Sequence, residues 1–419
     1  MALGICAAVF IAFSPVLSNA FVNWDDDANF LDNMAWRGLG WENLRWMFTS
    51  LHMGHYIPLT WVSMGLDYEL WGLNPFGYHF TALLLHTANA VLFFFCVNRL
   101  FAAAAVGASS RRRAIAALLA ALFFAIHPLR VESVAWATAR RDLVSGLFAL
   151  SSLLYYLRYA RDSRPGYYAA SLVLFACATL SRESTAALPF VFLVLDVYPL
   201  RRLLKKHSWQ ERKTVLMEKM PFFAVGAAAA LMAVIATKQL DCLESLADSD
   251  VYRRVGLSVY SMAFYLWKTA LPLNFSHLYA IPPGFSITSF AALASAVFLL
   301  ALFYAAWRLR RKYPGFKIAL FAYFVFILPS AGVAATISLA YDRFSYLSCL
   351  GLAALFGSAF ITVARAAGQH VALVFFSVIL LVLGMRSFDQ TEVWRDNISL
   401  WNNAVKNGQP HFRAQALSA

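Results

Sequence analysis

Three carboxylates in a row, Asp25-Asp26-Asp27, follow Asn23-Trp24 just beyond an apolar N-terminal run. Adjacent like charges repel, so at least one of them should hold its proton unusually well or face a cationic partner. A carboxylate tuned in that way is what a general base needs. The same triplet would also suit a helix N-cap at a membrane boundary, because Asp accepts hydrogen bonds from free amides. Spacing alone leaves both readings open.

Elsewhere, basic and acidic residues sit side by side. The clusters are His127-Pro128-Leu129-Arg130-Val131-Glu132, Arg140-Arg141-Asp142, Arg182-Glu183, Lys268, and Tyr341-Asp342-Arg343-Phe344. Neighbours of this kind commonly form ion pairs at helix ends. Arginine is equally the side chain that grips a phosphate with two parallel hydrogen bonds. Several such cations beside the acidic triplet would suit a phospholipid-like donor with a carboxylate base nearby. The stretch 21–77 adds His52, His55, Tyr56 and six tryptophans, at 24, 36, 41, 46, 61 and 71. Such a segment reads as interfacial amphipathic helices, and aromatic faces also suit sugar rings.

The elements that must position these groups are membrane helices. Of 419 residues, 61% are hydrophobic and only 14% charged, with a mean hydropathy of +0.60. A soluble fold of this size needs more charge to cover its surface. Apolar segments near 3–20, 78–101, 114–129, 143–157, 167–181, 185–200, 220–237, 286–307, 317–339, 345–364 and 371–388 are continuous rather than alternating. They therefore read as helices in a hydrocarbon core about 30 Å thick. A weaker segment, near 255–273, carries Arg253, Arg254 and Lys268 and reads as re-entrant or interfacial. The fold class expected is thus all-α integral membrane, with about eleven transmembrane helices plus interfacial helices in the first outer loop.

The arginines and lysines arbitrate orientation. Arg111-Arg112-Arg113, Arg158/Arg161/Arg164, Arg201-Arg202 with Lys205-Lys206, and Arg308/Arg310/Arg311/Lys312 all fall on one side when the chain starts inside, as the positive-inside rule asks. The acidic triplet and the arginine clusters then share the non-cytoplasmic side. The net charge of +13 is accounted for by topology, and nucleic-acid binding is not indicated. Cys6, Cys96, Cys177, Cys242 and Cys349 are scattered, with no metal spacing and no disulfide framework. His86 and Asn89, inside an apolar segment, read as interhelical hydrogen-bonding groups.

Read in order, the motifs form a recognisable set: Phe21-Val22-Asn23-Trp24-Asp25-Asp26, Tyr56-Ile57-Pro58-Leu59, Tyr78-His79, His86-Thr87-Ala88-Asn89, and His127-Pro128 with Val131-Glu132-Ser133-Val134-Ala135-Trp136. Arg140-Arg141-Asp142, Leu180-Ser181-Arg182-Glu183, Lys268 through Pro272, Asp342-Arg343-Phe344-Ser345-Tyr346-Leu347, Val393-Trp394-Arg395-Asp396 and Leu400-Trp401 continue it. The ordered set, spread over essentially the whole chain, resembles the TMTC family (transmembrane and tetratricopeptide-repeat proteins) and its bacterial relatives. The sequence departs from that pattern with Asp27 where Pro is frequent, and with Arg182 and Phe344 where Lys and Tyr are common.

The resemblance implies a GT-C-like polytopic helix bundle over 1–390, followed over 391–419 by the start of a helical, TPR-like region on the non-cytoplasmic side. It implies an inverting glycosyltransferase. The donor would be a polyprenyl-phosphate-linked sugar, mannose-like, and the acceptor a hydroxyl on a protein or glycan. Asp25 would be the base with Asp26 as its partner. Arg343, Lys268, Arg140, Arg141 and Arg182 would hold the lipid phosphate, and His127, Glu132, Tyr56 and His55 would orient substrates. A divalent metal is compatible with the family but not implied, and no metal ligands are assigned. The expected location is the plasma (inner) membrane with a periplasmic site, or the ER membrane with a lumenal one in a eukaryote. A flippase for lipid-linked sugar and a non-catalytic scaffold are the alternatives.

Overall fold

The computed structural model describes residues 1–104, 107–204, 208–239, 251–331 and 340–407. Lys205-Lys206, Cys242, the end of the 317–339 segment and the last part of the 391–419 region lie outside the described residues. The described chain is helical and contains no β-strand. It opens with α1 (Ala2–Phe13), then α2 (Trp41–Thr49), α3 (Pro58–Trp71), α4 (Pro75–Ala103), α5 (Ser110–Ala125) and the short α6 (Val131–Ala135). Next come α7 (Arg140–Asp162), α8 (Pro165–Thr179), α9 (Leu188–Val197), α10 (Trp209–Met217), α11 (Met220–Lys238) and α12 (Val251–Ala270). The final long helices are α13 (Phe290–Arg308), α14 (Pro314–Ile327), α15 (Leu350–Ala366), α16 (Gln369–Thr391) and α17 (Asn397–Lys406).

Each of the eleven apolar segments contains helix, although 286–289 is non-helical and the helix of that segment begins at Phe290. Five helices are long and apolar enough to cross a membrane: Pro75–Ala103, Ala137–Asp162, Trp209–Lys238, Phe290–Arg308 and Gln369–Trp394. Two bent pairs, Ser110–Ala125 with Pro128–Ala135 and Asp342–Ser348 with Leu350–Ala366, bring the number to seven if each is one span. Three further apolar helices, Ala2–Ser18, Pro165–Thr179 and Pro314–Ser330, are shorter. The helix over the weak segment, α12, is amphipathic and not among these candidates; it buries Leu257, Ser261, Phe264, Tyr265 and Lys268 along one side.

Local sequence sets the helix ends. Asn74 caps α4 by accepting from Phe76 N, with Pro75 in the first turn where its missing N–H costs nothing. Ser208 and Glu211 form a reciprocal capping box on α10, and Asp396 caps α17. The principal core joins α1, α4, α5, α7, α9, α15 and α16 through Phe13, Phe93, Phe124, Leu150, Phe192, Phe360 and Phe376. Outward faces of α13 and α16 leave Phe290, Val297, Leu300, Val374, Val378 and Leu381 exposed, as lipid-facing helices do.

One end of the bundle holds a buried polar knot. Asp196 pairs with Lys219 (2.8 Å) and Arg202 (3.3 Å), Arg202 also reaches Glu218 (2.8 Å), and Tyr156 donates to Asp196 (2.5 Å). The residues of the acidic triplet and the arginine clusters gather at the other end.

Close helix approach depends on small residues, as is usual where lipid supplies no hydrophobic drive between helices. At Gly357 on α15 a Cβ would run into the carbonyl oxygen of Ala116 on α5. Gly4 on α1 has nothing within 4 Å of such an atom. Gly357→Leu is therefore expected to destabilise the protein by about 1–3 kcal/mol through overpacking, whereas Gly4→Leu should leave thermal unfolding in detergent unchanged.

Candidate active site

The acidic triplet does not behave as three equivalent groups. Asp26 is 1% exposed and its carboxylate is fully engaged: Oδ1 accepts from Thr138 N (3.0 Å) and Thr138 Oγ1 (2.6 Å), and Oδ2 accepts from Val22 N (3.1 Å). Burial nonetheless pushes its pKa up to about 7, with the neighbouring Asp25 adding to the rise and the three donors opposing it. Asp26 thus ties the first loop to the turn before α7. Asp27 caps locally, its Oδ1 accepting from Ala28 N (2.8 Å).

Asp25 stands differently. Its backbone takes the left-handed conformation, φ 67°, uncommon for a non-glycine residue though more accessible to Asp than to most. Asn29 holds the turn, donating to the Asp25 carbonyl through both its backbone N (3.0 Å) and its side chain (2.9 Å). The Asp25 carboxylate has no hydrogen-bond partner among the described residues. It lines a cavity of about 440 Å³ with His52, His55, Trp61, Thr138 and Arg141. His55 Nδ1 contacts Glu183 at 3.2 Å. Burial, then Arg141, lowers the pKa of His55. Burial works against the charge of Glu183, but His55 and Arg141 hold its carboxyl well below the usual range.

The neighbouring arginines divide by what they already hold. Arg140 lies against Asp67 (2.7 Å) with both side chains buried, and also donates to Tyr78 O (2.7 Å). Arg182 pairs with Asp142; burial, reinforced by Arg141, lowers its pKa to about 9. Arg343 is gripped twice by Glu132, through its guanidinium to Oε1 (2.5 Å) and its backbone N to Oε2 (2.9 Å). Its guanidinium packs over Tyr341 (4.1 Å) and Trp136 (4.9 Å). Arg141 has no hydrogen-bonded carboxylate among the described residues. It lines the Asp25 cavity, where the charges of Arg343, Glu183, Asp25 and Glu132 all act on it.

A second, smaller pocket opens beside Arg343, lined by Asp142, Ser145, Arg182, Phe344 and Tyr346. Tyr346 is the pin behind it, accepting from Asn89 Nδ2 (2.9 Å) and meeting His86 Nδ1 at 2.8 Å. The interhelical bonding expected of His86 and Asn89 is therefore present. Arg130 donates twice to Ser345, at 2.7 Å each, and holds the 342–348 bend against α6.

Several expected site residues are placed elsewhere. Arg140 is committed to Asp67, so the structure separates the Arg140-Arg141 pair, one inward to the scaffold and one to the cavity. Lys268 donates to Leu273 O and to Asn274 O (2.8 Å) and is ringed by Phe264, Trp267, Phe275 and Tyr279. The charge of Asp342, which accepts from Tyr279 OH (3.0 Å), reaches it. His127 caps its own turn at Leu129 N and meets Thr269 O at 3.2 Å. Tyr56 donates to Phe48 O (3.1 Å) and faces an apolar groove along α8 and α11 instead of the Asp25 cavity.

Thr138, Asn29 and Asp67 carry much of the geometry and were not singled out from the sequence; only Asp67, a carboxylate inside a largely apolar helix, left a signal there. Among the described residues no three His, Cys, Asp or Glu side chains converge as a metal-holding set.

A polytopic helical bundle with a buried carboxylate–arginine site at one end is the class these features define. Residues 76–237 match the family model described as dolichyl-phosphate-mannose-protein mannosyltransferase. Similar proteins include protein O-mannosyl-transferase tmtc2 of Xenopus laevis, 34% identical over 155 residues (35% of this chain, 17% of that protein). Human protein O-mannosyl-transferase TMTC4 is 30% identical over 209 residues (46% of this chain, 28% of that protein). Among solved structures, ArnT from Cupriavidus metallidurans bound to undecaprenyl phosphate aligns over 99% of this chain and 78% of its own, at 15% identity and a TM-score of 0.40, too loose a likeness to define the fold. The chain is similar to TMTC proteins over part of its length, the matches covering 17% and 28% of these two relatives.

Two outcomes test this geometry. Asp26 keeps a proton that the unfolded chain loses above its ordinary pKa of 3.8, so the stability it contributes is full below that value and is lost as pH rises through about 7. Asp26→Asn, which cannot ionise, should flatten that part of a thermal-unfolding profile recorded between those pH values. Arg140→Gln should cost about 3–5 kcal/mol of stability by stranding Asp67, while Arg141→Gln should unfold at the parent temperature.

Proposed function

We propose that this protein is an inverting glycosyltransferase that moves a sugar from a polyprenyl-phosphate donor to an acceptor hydroxyl, on the non-cytoplasmic face of its membrane. The observation that carries the reading is Asp25: a carboxylate without a hydrogen-bond partner among the described residues, held in a left-handed backbone on the wall of a cavity beside Arg141. The names of the relatives, protein O-mannosyl-transferases, support a mannose-like sugar and a protein acceptor.

In the proposed reaction the acceptor O–H gives its proton to the Asp25 carboxylate as its oxygen attacks the anomeric carbon. The bond from that carbon to the donor phosphate oxygen breaks with inversion. The departing polyprenyl phosphate takes up the electron pair, and Arg141 and Arg343 stabilise its growing charge. Asp26, through Thr138 and the first loop, positions the base without touching the substrate.

An apolar groove supports the lipid donor. Phe93, Leu150, Leu188, Val191, Phe326 and Leu347 are among its walls. Phe326 and Leu347 also line the pocket holding Arg182 and Arg343. A polyprenyl chain lying in the groove would deliver its phosphate to those arginines. Because Glu132 already holds Arg343, donor binding requires the phosphate to compete for that guanidinium, whereas Arg141 has no hydrogen-bonded carboxylate among the described residues.

The test is transfer of labelled mannose from polyprenyl-phosphate mannose to a Ser/Thr-containing peptide by the purified protein in liposomes. Asp25→Asn should reduce the rate by about two to four orders of magnitude with unfolding temperature unchanged, and Arg141→Gln should also reduce it. Full activity of folded Asp25→Asn removes the mechanism, and movement of the labelled lipid across the bilayer without transfer would favour a flippase.

A further inference from the structure

At the end of the bundle away from Asp25 lies a basic cleft that the transfer reading does not use. It is bounded by Arg99 near the end of α4, Arg161 near the end of α7, and Arg201 and Arg202 in the turn after α9. The cleft has about 1420 Å³ of empty space and is open to the outside. Its apolar floor is Leu157, Ala160, Leu200 and Val215.

Two of the four arginines are already neutralised: Arg202 by Asp196 and Glu218, and Arg161 by its exposed neighbour Asp162 (2.7 Å). Arg99 and Arg201 make no ion pair and no side-chain hydrogen bond among the described residues, although the charge of Asp162 reaches Arg99. The acid on the cleft wall, Glu211, turns back to accept from Ser208 N (2.7 Å) in its own capping box. Two cations are thus left facing a common space, one of them, Arg201, on a left-handed backbone (φ 60°). A concave, partly apolar site with unpaired guanidinium groups calls for an anion with oxygen acceptors, and a phosphate fits that fork best.

The surroundings say which phosphate. Arg99 is twenty residues along α4 from His79, and Arg161 is twenty-one along α7 from Arg140, a separation of about 30 Å at 1.5 Å per residue. That is about the thickness of a bilayer's hydrocarbon core, so the cleft lies at the depth of the opposite headgroup layer. At Pro199 the cleft meets the apolar groove, whose walls there are Leu100, Phe101 and Tyr198. A headgroup phosphate in the cleft would have its acyl chain directed along those side chains. We propose that this cleft is a binding site for an anionic phospholipid, with Arg99 and Arg201 gripping the phosphate. The cleft itself takes no part in the transfer reaction and the proposal does not rest on that reading, although a lipid bound there would share the far end of the groove assigned to the donor's polyprenyl chain.

The experiment is thermal unfolding of the purified full chain in neutral detergent with added phosphatidylglycerol, phosphatidylcholine or sodium phosphate. Phosphatidylglycerol should raise the unfolding midpoint by about 4 °C or more, as a ligand bound only by the folded state does, and phosphatidylcholine should not. The double variant Arg99→Gln/Arg201→Gln should lose that increment while keeping the lipid-free midpoint. Arg310→Gln/Arg311→Gln, exposed on another segment, should retain it. An unchanged increment in Arg99→Gln/Arg201→Gln, or an equal response to phosphatidylcholine, overturns the site. A full response to sodium phosphate overturns the lipid as its occupant.

Discussion

The structure depends on one constraint: a charge taken out of water inside a helix bundle must find a partner. Removing a single charge from water costs several kcal/mol, which only a close opposite charge or several hydrogen bonds can offset. This chain places Arg130, Arg140, Arg182 and Arg343, with Asp26, Asp67, Glu132 and Asp142, inside the protein. Each opposing pair fixes two separate parts of the chain. Arg140 with Asp67 sets α7 against α3, Arg343 with Glu132 sets the 342–348 bend against α6, and Arg182 with Asp142 sets the turn before α9 against α7. Ion pairs here act as registers between helices that lipid by itself would let slide.

Once those pairs are made, the few charges left over define where chemistry can occur. Asp25 and Arg141 are immediate neighbours of paired residues, and differ from Asp26 and Arg140 only in which way the backbone turns them. At Asp25 the left-handed turn held by Asn29 directs one carboxylate to the cavity while Asp26 binds Thr138. At Arg140-Arg141, successive residues of one helix face directions about 100° apart, so one guanidinium meets Asp67 and the next meets the cavity. The same logic applies at the far end, where Arg202 and Arg161 are paired and, among the described residues, Arg99 and Arg201 are not. The terminal helix α17 joins the first loop as well: Trp401 donates to Asn23 (2.8 Å), whose N donates to Asn397 (2.7 Å). The segment after the bundle is thereby built onto the loop bearing the carboxylates.

Much of this was legible in the amino-acid order. The apolar runs located the helices because a membrane span needs continuous hydrophobicity, and His86 and Asn89 announced an interhelical polar contact because such groups cannot face lipid unpaired. The acidic triplet announced a perturbed carboxylate. The sequence pointed equally to Arg140 and Arg141 and to Lys268, His127 and Tyr56, because charge and ring chemistry do not reveal partners. Lys268 turned to carbonyls within its own turn, His127 to its own cap, and Tyr56 to Phe48. Thr138, the residue that engages Asp26, carries no charge and sits 112 positions away, so nothing local marked it.

By itself, then, the order of residues determined a helical membrane protein and which residue types stand at its helix ends, since hydrophobic length and charge placement act locally along the chain. Tertiary structure alone decided which carboxylate and which arginine remain unpaired. Pairing depends on distances between segments far apart in sequence, and on backbone turns such as that at Asp25, which no local pattern specifies.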